Sequence, residues 1–220
     1  MQITPIGYAK TPFKEKFGIP RQSGRAKIGG KILLDKQFDQ TSIRGIDGFS
    51  HIWLIFDFSL AHRDSHSQTV RPPRLGGNEK VGVFASRSPY RPNSLGLSLV
   101  KLVGVENTQD GVALIVEGID LVDGTPIYDI KPYLATDCIQ GANYGYSSEH
   151  NSHRLIVENL CVLDGIEQKT KDEIIACISD DPRPSYQDDG RIYGMLFDNY
   201  NVKFCVENGI ATLIFIERVN

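Results

Sequence analysis

Four arginines and four prolines are concentrated within residues 71–93. They fall in two stretches, RPPRLGG at residues 71–77 and VGVFASRSPYRPN at residues 81–93. Proline fixes φ and removes a backbone donor, so both stretches predict stiff loops that leave short strands. Guanidinium groups on stiff loops suit a pocket that binds a carboxylate or a phosphate in fixed geometry. The alternative is a proline-locked rim whose arginines are simply solvated, and the residue types alone leave both open.

Polar side chains also cluster at residues 120–132, DLVDGTPIYDIKP. Their carboxylates could accept hydrogen bonds from an amino group or a ribose, or act as a base. The segment DGTP is equally an ordinary turn sequence. His62 and His66 have the spacing of a helical metal pair, but residues 61–68 lack helical periodicity and lead into prolines. We therefore expect exposed polar loops there and no metal site.

The elements that must position these groups are mostly strands, predicted by alternation and β-branched content. One short helix is expected near residues 37–44. Many short strands with little helix favour a closed barrel, because closure removes exposed strand edges. The nearly continuous apolar run at 51–58 predicts a strand covered on both faces. The strands expected in this part of the chain cover residues 3–9, 27–34, 51–58, 80–85, 97–105 and 112–119.

The rest of the chain predicts a different unit. Residues 138–152 are small and polar and indicate a linker. Beyond them, a strand at 154–158 is followed by TKDE at 170–173, a capping box that opens a helix to about residue 178. Strands at 202–206 and 210–216 flank Asn208 and Gly209, a tight-hairpin pair. The expected fold is therefore mainly β, with a β-barrel domain at 1–137 and a small α+β domain at 153–220.

Composition sets further limits on the class of protein. Residues 1–100 contain 15 Lys+Arg and 7 Asp+Glu, whereas residues 101–220 contain 9 and 20, so a polyanion would be steered to the first part. No signal-peptide pattern or membrane-length apolar run occurs, and we expect a cytoplasmic protein without membrane contact. The widely spaced cysteines indicate reduced core residues: Cys138, Cys161, Cys177 and Cys205.

Several common nucleotide-binding and hydrolase motifs are missing from the sequence. It contains no Gly-x-Gly, which excludes the dinucleotide fingerprint and the glycine-rich loop of Rossmann methyltransferases. It also contains no P-loop and no Gly-x-Ser-x-Gly elbow. What remains is a barrel with an arginine-lined, proline-stiffened pocket for an anionic or zwitterionic ligand.

Residues 82–98, GVFASRSPYRPNSLGLS, closely resemble the signature of the TrmO family, also called TsaA-like or YaeB-like proteins. The segment DPRPSY at 181–186 is similar to the C-terminal domain of the bacterial members. Further similar segments are Ile6-Gly7, TPFK at 11–14, IPRQ at 19–22, FSHIW at 49–53, RPPRLGG at 71–77, DLVDGT at 120–125 and DIKPY at 129–133.

The resemblance implies an enzyme that uses S-adenosylmethionine (SAM) to methylate N6 of threonylcarbamoyladenosine at position 37 of tRNA, next to the anticodon. It also implies a β-barrel with a small C-terminal domain, and a homodimer with cofactor sites near the subunit contact. A non-catalytic barrel that senses SAM or a nucleotide is the alternative. A plain RNA-binding barrel is disfavoured by the acidic second half of the chain.

Carried onto this chain, the family's cofactor pocket contains residues from four segments. Arg87 or Arg21 would pair with the SAM carboxylate, and Asp120 or Asp123 with its amino group or ribose. Leu97 and Leu60 would cover the adenine. The full set is Pro20, Arg21, Gln22, Ser59, Leu60, Arg87, Leu97, Gly118, Ile119, Asp120, Asp123, Gly124 and Thr125.

The same resemblance suggests catalytic and substrate-binding residues. Asp123 and Asp129 are candidates for the base that takes the N6 proton. Arg91 or Lys131 could bind the threonyl carboxylate of the substrate. The anticodon loop could be held through phosphate pairing and base stacking by two further residues, unless these only form a turn: Arg183 and Tyr186.

Overall fold

The computed structural model describes residues 2–72, 75, 79–147, 154–184 and 190–219. These residues form twelve strands and one α-helix. In chain order the elements are β1 Gly7–Lys10, β2 Gly29–Leu34, β3 His51–Asp57, β4 Thr69–Val70, β5 Val81–Gly82, β6 Leu95–Thr108, β7 Gly111–Glu117, β8 Pro126–Pro132, β9 Ile156–Glu158, α1 Gln168–Ser179, β10 Ile192–Phe197, β11 Tyr200–Glu207 and β12 Ile210–Arg218.

Six antiparallel strands close into a barrel in the order β1-β2-β7-β6-β3-β8. The β1–β8 pair, with Gly7 opposite Ile127, completes the ring. Alternation along β3 shows why the sequence closes this way, since Ile52, Leu54 and Phe56 point inward and are buried. The mainly β fold with an N-terminal barrel is therefore confirmed.

The outward residues of β3 are only partly covered. Trp53 and Ile55 are half-buried, and they face Leu99 and Leu97 across the β3–β6 ladder. Leu97 is 49% exposed. The expectation that this strand is covered on both faces was therefore wrong for a single copy of the chain.

The C-terminal part forms a four-stranded sheet in the order β10-β11-β12-β9, with α1 preceding its antiparallel strands. Strands β11 and β12 join through Asn208 at φ 51° and Gly209 at φ 79°, as the Asn-Gly pair predicts. Strand β9 pairs in parallel with β12 at the other edge. The sheet packs its inner face, including Phe204 and Leu213, into the core.

One apolar core runs through both sheets. Phe13, from the barrel side, bridges to Phe197 at the end of β10, and both are fully buried. Their rings meet edge to face with centroids 5.7 Å apart. Phe17 stacks on Tyr193 of the C-terminal sheet. The two sheets thus share their interior, and the domain limits expected from the sequence stay a prediction.

A buried carboxylate adds a polar connection between the two sheets. Asp180, at the end of α1, is 5% exposed and accepts from Arg25. It also lies 3.6 Å from Nη1 of Arg154 and accepts from the backbone N–H of Arg21 at 3.3 Å. Because a buried charge is costly when it is left without partners, this cluster fixes the segment after β1 against the end of α1.

Several local predictions were wrong for identifiable reasons. Residues 37–44 form turns because the Asp39 side chain accepts from the Thr41 N–H at 2.8 Å and competes with helix formation. The expected strand at 80–85 is only Val81–Gly82 and continues as a 3-10 turn.

The helix begins at Gln168, ahead of the expected capping box, and its N-cap makes no side-chain hydrogen bond. Two of the four free cysteines are exposed, so the core expectation fails for Cys138 and Cys161.

Candidate active site

A cavity of about 790 Å³ lies at one mouth of the barrel, where β3 ends and β6 begins. Its wall also includes the segment between β1 and β2, the loop before β6, and Asp120 in the turn after β7. The lining residues are Pro20, Arg21, Gln22, Ile55, Phe56, Phe58, Phe84, Ser86, Arg87, Pro89, Arg91, Pro92, Asn93, Leu95, Gly96, Leu97, Ser98 and Asp120. This volume is in the range of small-molecule sites.

Gly96 explains how the floor of the cavity is built. A Cβ at this position would lie 2.2 Å from Cζ of Phe56, so only glycine lets the ring lie across the β6 backbone. Phe56 in turn packs edge to face against Phe58, with centroids 5.0 Å apart. The two aromatic side chains therefore form a fixed apolar floor at the end of β3.

The loop at 83–93 brings Arg87 over this floor. Its Nη1 donates to Oε1 of Gln22 at 2.7 Å, which links the loop to the segment after β1. Within the described part of the chain, the other guanidinium donors of Arg87 have no hydrogen-bond partner. Arg87 can therefore bind an anionic group in the cavity while Gln22 holds its orientation.

Asp120 provides the opposite charge on the facing wall. Ser98 of β6 donates to its Oδ1 at 2.7 Å. The residue is partly exposed, but protein atoms surround the carboxyl group, and this burial raises the pKa of Asp120 to about 6. The Ser98 hydrogen bond and the charge of Arg87 act in the opposite direction. The cavity thus places a cation and a titratable acid around an apolar floor.

Comparison with known proteins identifies the family to which the chain belongs. The tRNA-methyltransferase O N-terminal domain matches residues 8–138, and the TrmO C-terminal domain matches residues 163–219. The chain belongs to the TrmO family.

Individual relatives and solved structures agree with the family match. The chain is 37% identical over 218 residues to a tRNA (adenine(37)-N6)-methyltransferase of Escherichia coli strain K12, covering 93% of each chain. A 39% identical relative from Pseudomonas aeruginosa, matched over 88% of this chain and 87% of its own, carries a name that describes an S-adenosylmethionine-dependent methyltransferase. The crystal structure of TrmO from Pseudomonas aeruginosa superposes with a TM-score of 0.77 at 30% identity, covering 99% of this chain and 98% of that one.

Six of the residues expected in the TrmO cofactor pocket line the cavity: Pro20, Arg21, Gln22, Arg87, Leu97 and Asp120. Arg21, however, is also hydrogen-bonded to the C-terminal part of the chain. Its Nη2 donates to the carbonyls of Asp181, at 3.2 Å, and Arg183. Between the two arginines expected to bind a carboxylate, Arg87 is therefore the one whose donors remain available, and Arg21 acts as a connection to the C-terminal unit.

The structure does not bring the other expected pocket residues to the cavity wall. Gly118 adopts φ 84° and approaches the backbone of Gly24, whose N–H donates to its carbonyl at 2.9 Å. Ile119 is fully buried in the core. Gly124 and Thr125 form the turn before β8, where Thr125 donates to the carbonyl of Val122 at 2.7 Å. Ser59 and Leu60 follow the cavity residue Phe58 and are exposed.

The Asp123 carboxylate binds two groups that lie outside the cavity. Its Oδ1 accepts from the Thr11 N–H at 3.0 Å, and its Oδ2 pairs with Nζ of Lys14 at 2.9 Å. Burial alone would raise the pKa of Asp123, but the hydrogen bonds from Lys14 and Thr11 hold it below its usual value. A carboxylate with a lowered pKa is a weaker base, so this geometry argues against the proton-accepting role expected for it.

Asp129 and Lys131 pair with each other on β8, at 2.8 Å. Neither residue lines the cavity, and the Lys131 side chain is 62% exposed. Arg91 does line it, and its Nη1 donates to the carbonyl of Ser86 at 3.3 Å. The Arg183 guanidinium binds Asp181 at 2.8 Å and is 12% exposed. Tyr186 and part of the segment 71–77 lie outside the described residues.

Sequence reasoning missed several residues of the cavity wall. Phe84 is 79% exposed although it is a large aromatic, and Asn93 and Ser86 line the same side. These three lie inside the stretch 81–93, whose arginines and prolines had been singled out. The signal was therefore present in the segment. Gly96 and Ser98 of β6, in contrast, are recognised only from their contacts with Phe56 and Asp120.

Two features are absent from the described residues. No helix among them is long and apolar enough to cross a membrane. In the same part of the chain, no group of three or more His, Cys, Asp or Glu side chains is arranged to hold a metal ion.

Proposed function

We propose that this chain is an S-adenosylmethionine-dependent methyltransferase that methylates N6 of threonylcarbamoyladenosine at position 37 of tRNA. The observation that carries the proposal is the cavity at the barrel mouth, where Arg87 and Asp120 meet over an apolar floor in a chain of the TrmO family. An electrostatic pair of this kind suits a zwitterionic ligand with an apolar moiety.

The cofactor-binding residues follow from these contacts. Arg87 would pair with the α-carboxylate of SAM, held in place by Gln22. Asp120, fixed by Ser98, would accept from the α-amino group or the ribose hydroxyls. Leu95 and Leu97, which are exposed on the cavity side of β6, would cover the adenine.

Alignment and exclusion of water would provide most of the rate. Bound SAM supplies a methyl group on a cationic sulfur, and its transfer to nitrogen is an in-line displacement. The fixed floor of Phe56 and Phe58 and the stiff prolines Pro89 and Pro92 limit how far the reacting groups can move. Positioning of this kind contributes several kcal/mol to many enzymatic reactions, about 7–11 in the best cases.

The tRNA substrate is supported by the charge distribution and by Arg91. Residues 1–100 carry the excess of Lys+Arg, and Arg91 lies on the rim of the cavity. Arg91 is the proposed partner of the threonyl carboxylate, in preference to Lys131, which is bound to Asp129 outside the cavity. Arg183 and Tyr186 remain proposed contacts of the anticodon loop, with the Arg183 guanidinium bound to Asp181 in this structure.

A homodimer is proposed from the apolar surface next to the cavity. Trp53 of β3 forms a partly exposed apolar face on the outside of the barrel, and this face continues into Ile55 and Leu97, which also line the cavity. Phe84, 79% exposed, adjoins it at the cavity wall. Exposed apolar patches of this kind mark association surfaces, so a second copy covering this face would also close the cavity.

Methyl transfer can be tested with SAM labelled in its methyl group. The chain should transfer label to tRNA that carries the threonylcarbamoyl group and leave unmodified tRNA unlabelled. Arg87→Ala should weaken SAM binding by about 1–3 kcal/mol, because a charge-assisted contact is lost. Lys131→Ala is the matched control and should leave SAM affinity unchanged. SAM binding without transfer to either tRNA would favour the sensor alternative, and unchanged affinity in Arg87→Ala would show that the cofactor lies elsewhere.

A further inference from the structure

A second cavity, of about 510 Å³, adjoins the first. The two share one wall, formed by Arg91, Pro92, Asn93 and Leu95. The two cavities are therefore direct neighbours along the segment that precedes β6. The remaining surface of the second cavity is mostly polar and comes from the end of β3, the loop after it, Ser94 and Tyr128 of β8, together with the apolar Ile3.

A carboxylate–imidazole pair lies in this second cavity. Nε2 of His62 is 2.7 Å from Oδ1 of Asp57, the last residue of β3. The Asp57 side chain is 12% exposed, whereas that of His62 is 60% exposed. An ionised carboxylate only accepts hydrogen bonds, so Nε2 carries the proton and Nδ1 of the neutral ring keeps its lone pair. In the described part of the chain, no hydrogen bond to this Nδ1 is found.

Contacts made by the two neighbours of His62, Ala61 and Arg63, fix the loop that carries it. The N–H of Ala61 donates to the carbonyl of Phe58 at 2.7 Å, and Ala61 is buried. The Arg63 guanidinium lies 3.6 Å above the ring of Tyr90, which belongs to the loop that carries Arg87. A cation–π contact at this distance holds the two loops together. His62 is therefore an exposed imidazole on a fixed support, beside the wall shared with the first cavity.

We propose that the second cavity receives the modified adenine of the substrate and that His62 is the general base of the methyl transfer. The proposal rests on the proposed function. The N6 lone pair forms the bond to the methyl carbon, the carbon–sulfur bond breaks with its electron pair passing to sulfur, and the N6 proton passes to Nδ1 of His62. Asp57 stabilises the resulting imidazolium, as a buried carboxylate does beside a catalytic histidine.

The charged and titratable groups that face His62 come from four elements. Asp57 lies on β3; Arg63, Asp64 and His66 on the same loop; Arg91 on the shared wall; and Tyr128 on β8. Arg63 and Arg91 are positively charged, whereas Asp57 and Asp64 are negatively charged. The Asp57–His62 pair is therefore surrounded by charges of both signs.

The test compares His62→Gln with His51→Gln, since His51 is the first residue of β3 and lines neither cavity. Single-turnover methylation at saturating SAM and tRNA should fall about 10²–10⁴-fold in His62→Gln, with SAM affinity and unfolding midpoint unchanged. His51→Gln should stay within about threefold of wild type.

A second measurement needs no ligand. Histidine ¹⁵N NMR at pH 8 should show the Nε2–H tautomer of His62, and Asp57→Leu, which lacks an acceptor, should weaken that preference. A wild-type rate in His62→Gln, or an Nδ1–H tautomer in the free protein, would overturn the proposal while leaving the proposed function intact. If the wild-type chain transfers no methyl group to modified tRNA, the proposed function itself fails.

Discussion

The turn after β7 has an aspartate at each end, Asp120 and Asp123, and the surroundings of the two carboxyl groups differ. Asp120 faces the cavity beside Ser98, and burial raises its pKa to about 6. Asp123, three residues later, turns to Lys14 and the Thr11 N–H, which hold its pKa below the usual value against the effect of burial. One carboxylate is kept open for a ligand, and the other stabilises the fold. The spacing of the two acids therefore says little about their roles, and the neighbouring strands decide them.

The largest effect that separates the two ends should come from Asp120→Asn. Loss of the charge opposite the SAM amino group should weaken SAM binding by about 1.5–3 kcal/mol at pH 7.5, measured by calorimetry. The variant should fold, because Ser98 can donate to an amide oxygen as well as to a carboxylate. Asp123→Asn serves as the matched control, with a change in SAM affinity below about twofold. Equal losses in both variants would remove the distinction between the two acids.

The pH dependence of SAM binding should follow the raised pKa of Asp120. The carboxyl is ionised above about pH 6 and becomes neutral as the pH falls through that value. Affinity should therefore drop about tenfold between pH 7.5 and pH 5, where roughly a tenth of the group remains ionised. Asp120→Asn should show no such loss over this window. A wild-type affinity that is flat from pH 7.5 to pH 5 would show that the ionised carboxyl does not contact SAM.

Folding stability should respond to Asp120 in the opposite direction to binding. A carboxyl whose pKa is raised in the folded state stabilises the fold when it is protonated, and this contribution is lost as the pH rises from about 4 to about 6. The site is thus more stable in the form that binds SAM less well. Such a conflict between local stability and ligand binding is frequent where a group is positioned for function.

At the other end of the turn, Asp123→Asn should cost stability. The Lys14 pair is partly exposed, with side-chain exposures of 42% and 25%, so its loss should cost about 0.5–1 kcal/mol in urea denaturation at pH 7. Because the pKa of Asp123 is lowered in the folded state, this contribution is present above pH 4 and is lost as the pH falls further. Lys14→Met should give a similar loss. A variant as stable as wild type at pH 7 would mean that the pair contributes nothing.

How much the sequence predicts depends on the range of the contacts. Alternation predicts β3 and β7, and Asn208-Gly209 predicts the last hairpin, because these signals are local. The arginine- and proline-rich stretches predict an anion-binding pocket for the same reason, whereas the choice of Arg87 comes from the resemblance to the TrmO family.

Long-range contacts explain the predictions that failed. Arg21 donates to carbonyls about 160 residues away along the chain, which no local pattern encodes. The Asp57–His62 pair depends on how the loop after β3 turns back. Strand β8 was missed because its acids and prolines also suit a turn, yet both prolines lie at its ends, where the ladder tolerates them.

The smallest expected effect concerns Asp129, the third acid of the 120–132 segment. It pairs with Lys131 on the exposed face of β8, and neither residue lines either cavity. Asp129→Asn should therefore change stability by less than about 0.5 kcal/mol, because exposed ion pairs contribute little. Single-turnover methylation should stay within about threefold of wild type, in contrast to His62→Gln. A loss of 100-fold or more in Asp129→Asn, with His62→Gln fully active, would identify Asp129 as the base. The functional difference within the segment would then involve all three of its carboxylates, those of Asp120, Asp123 and Asp129.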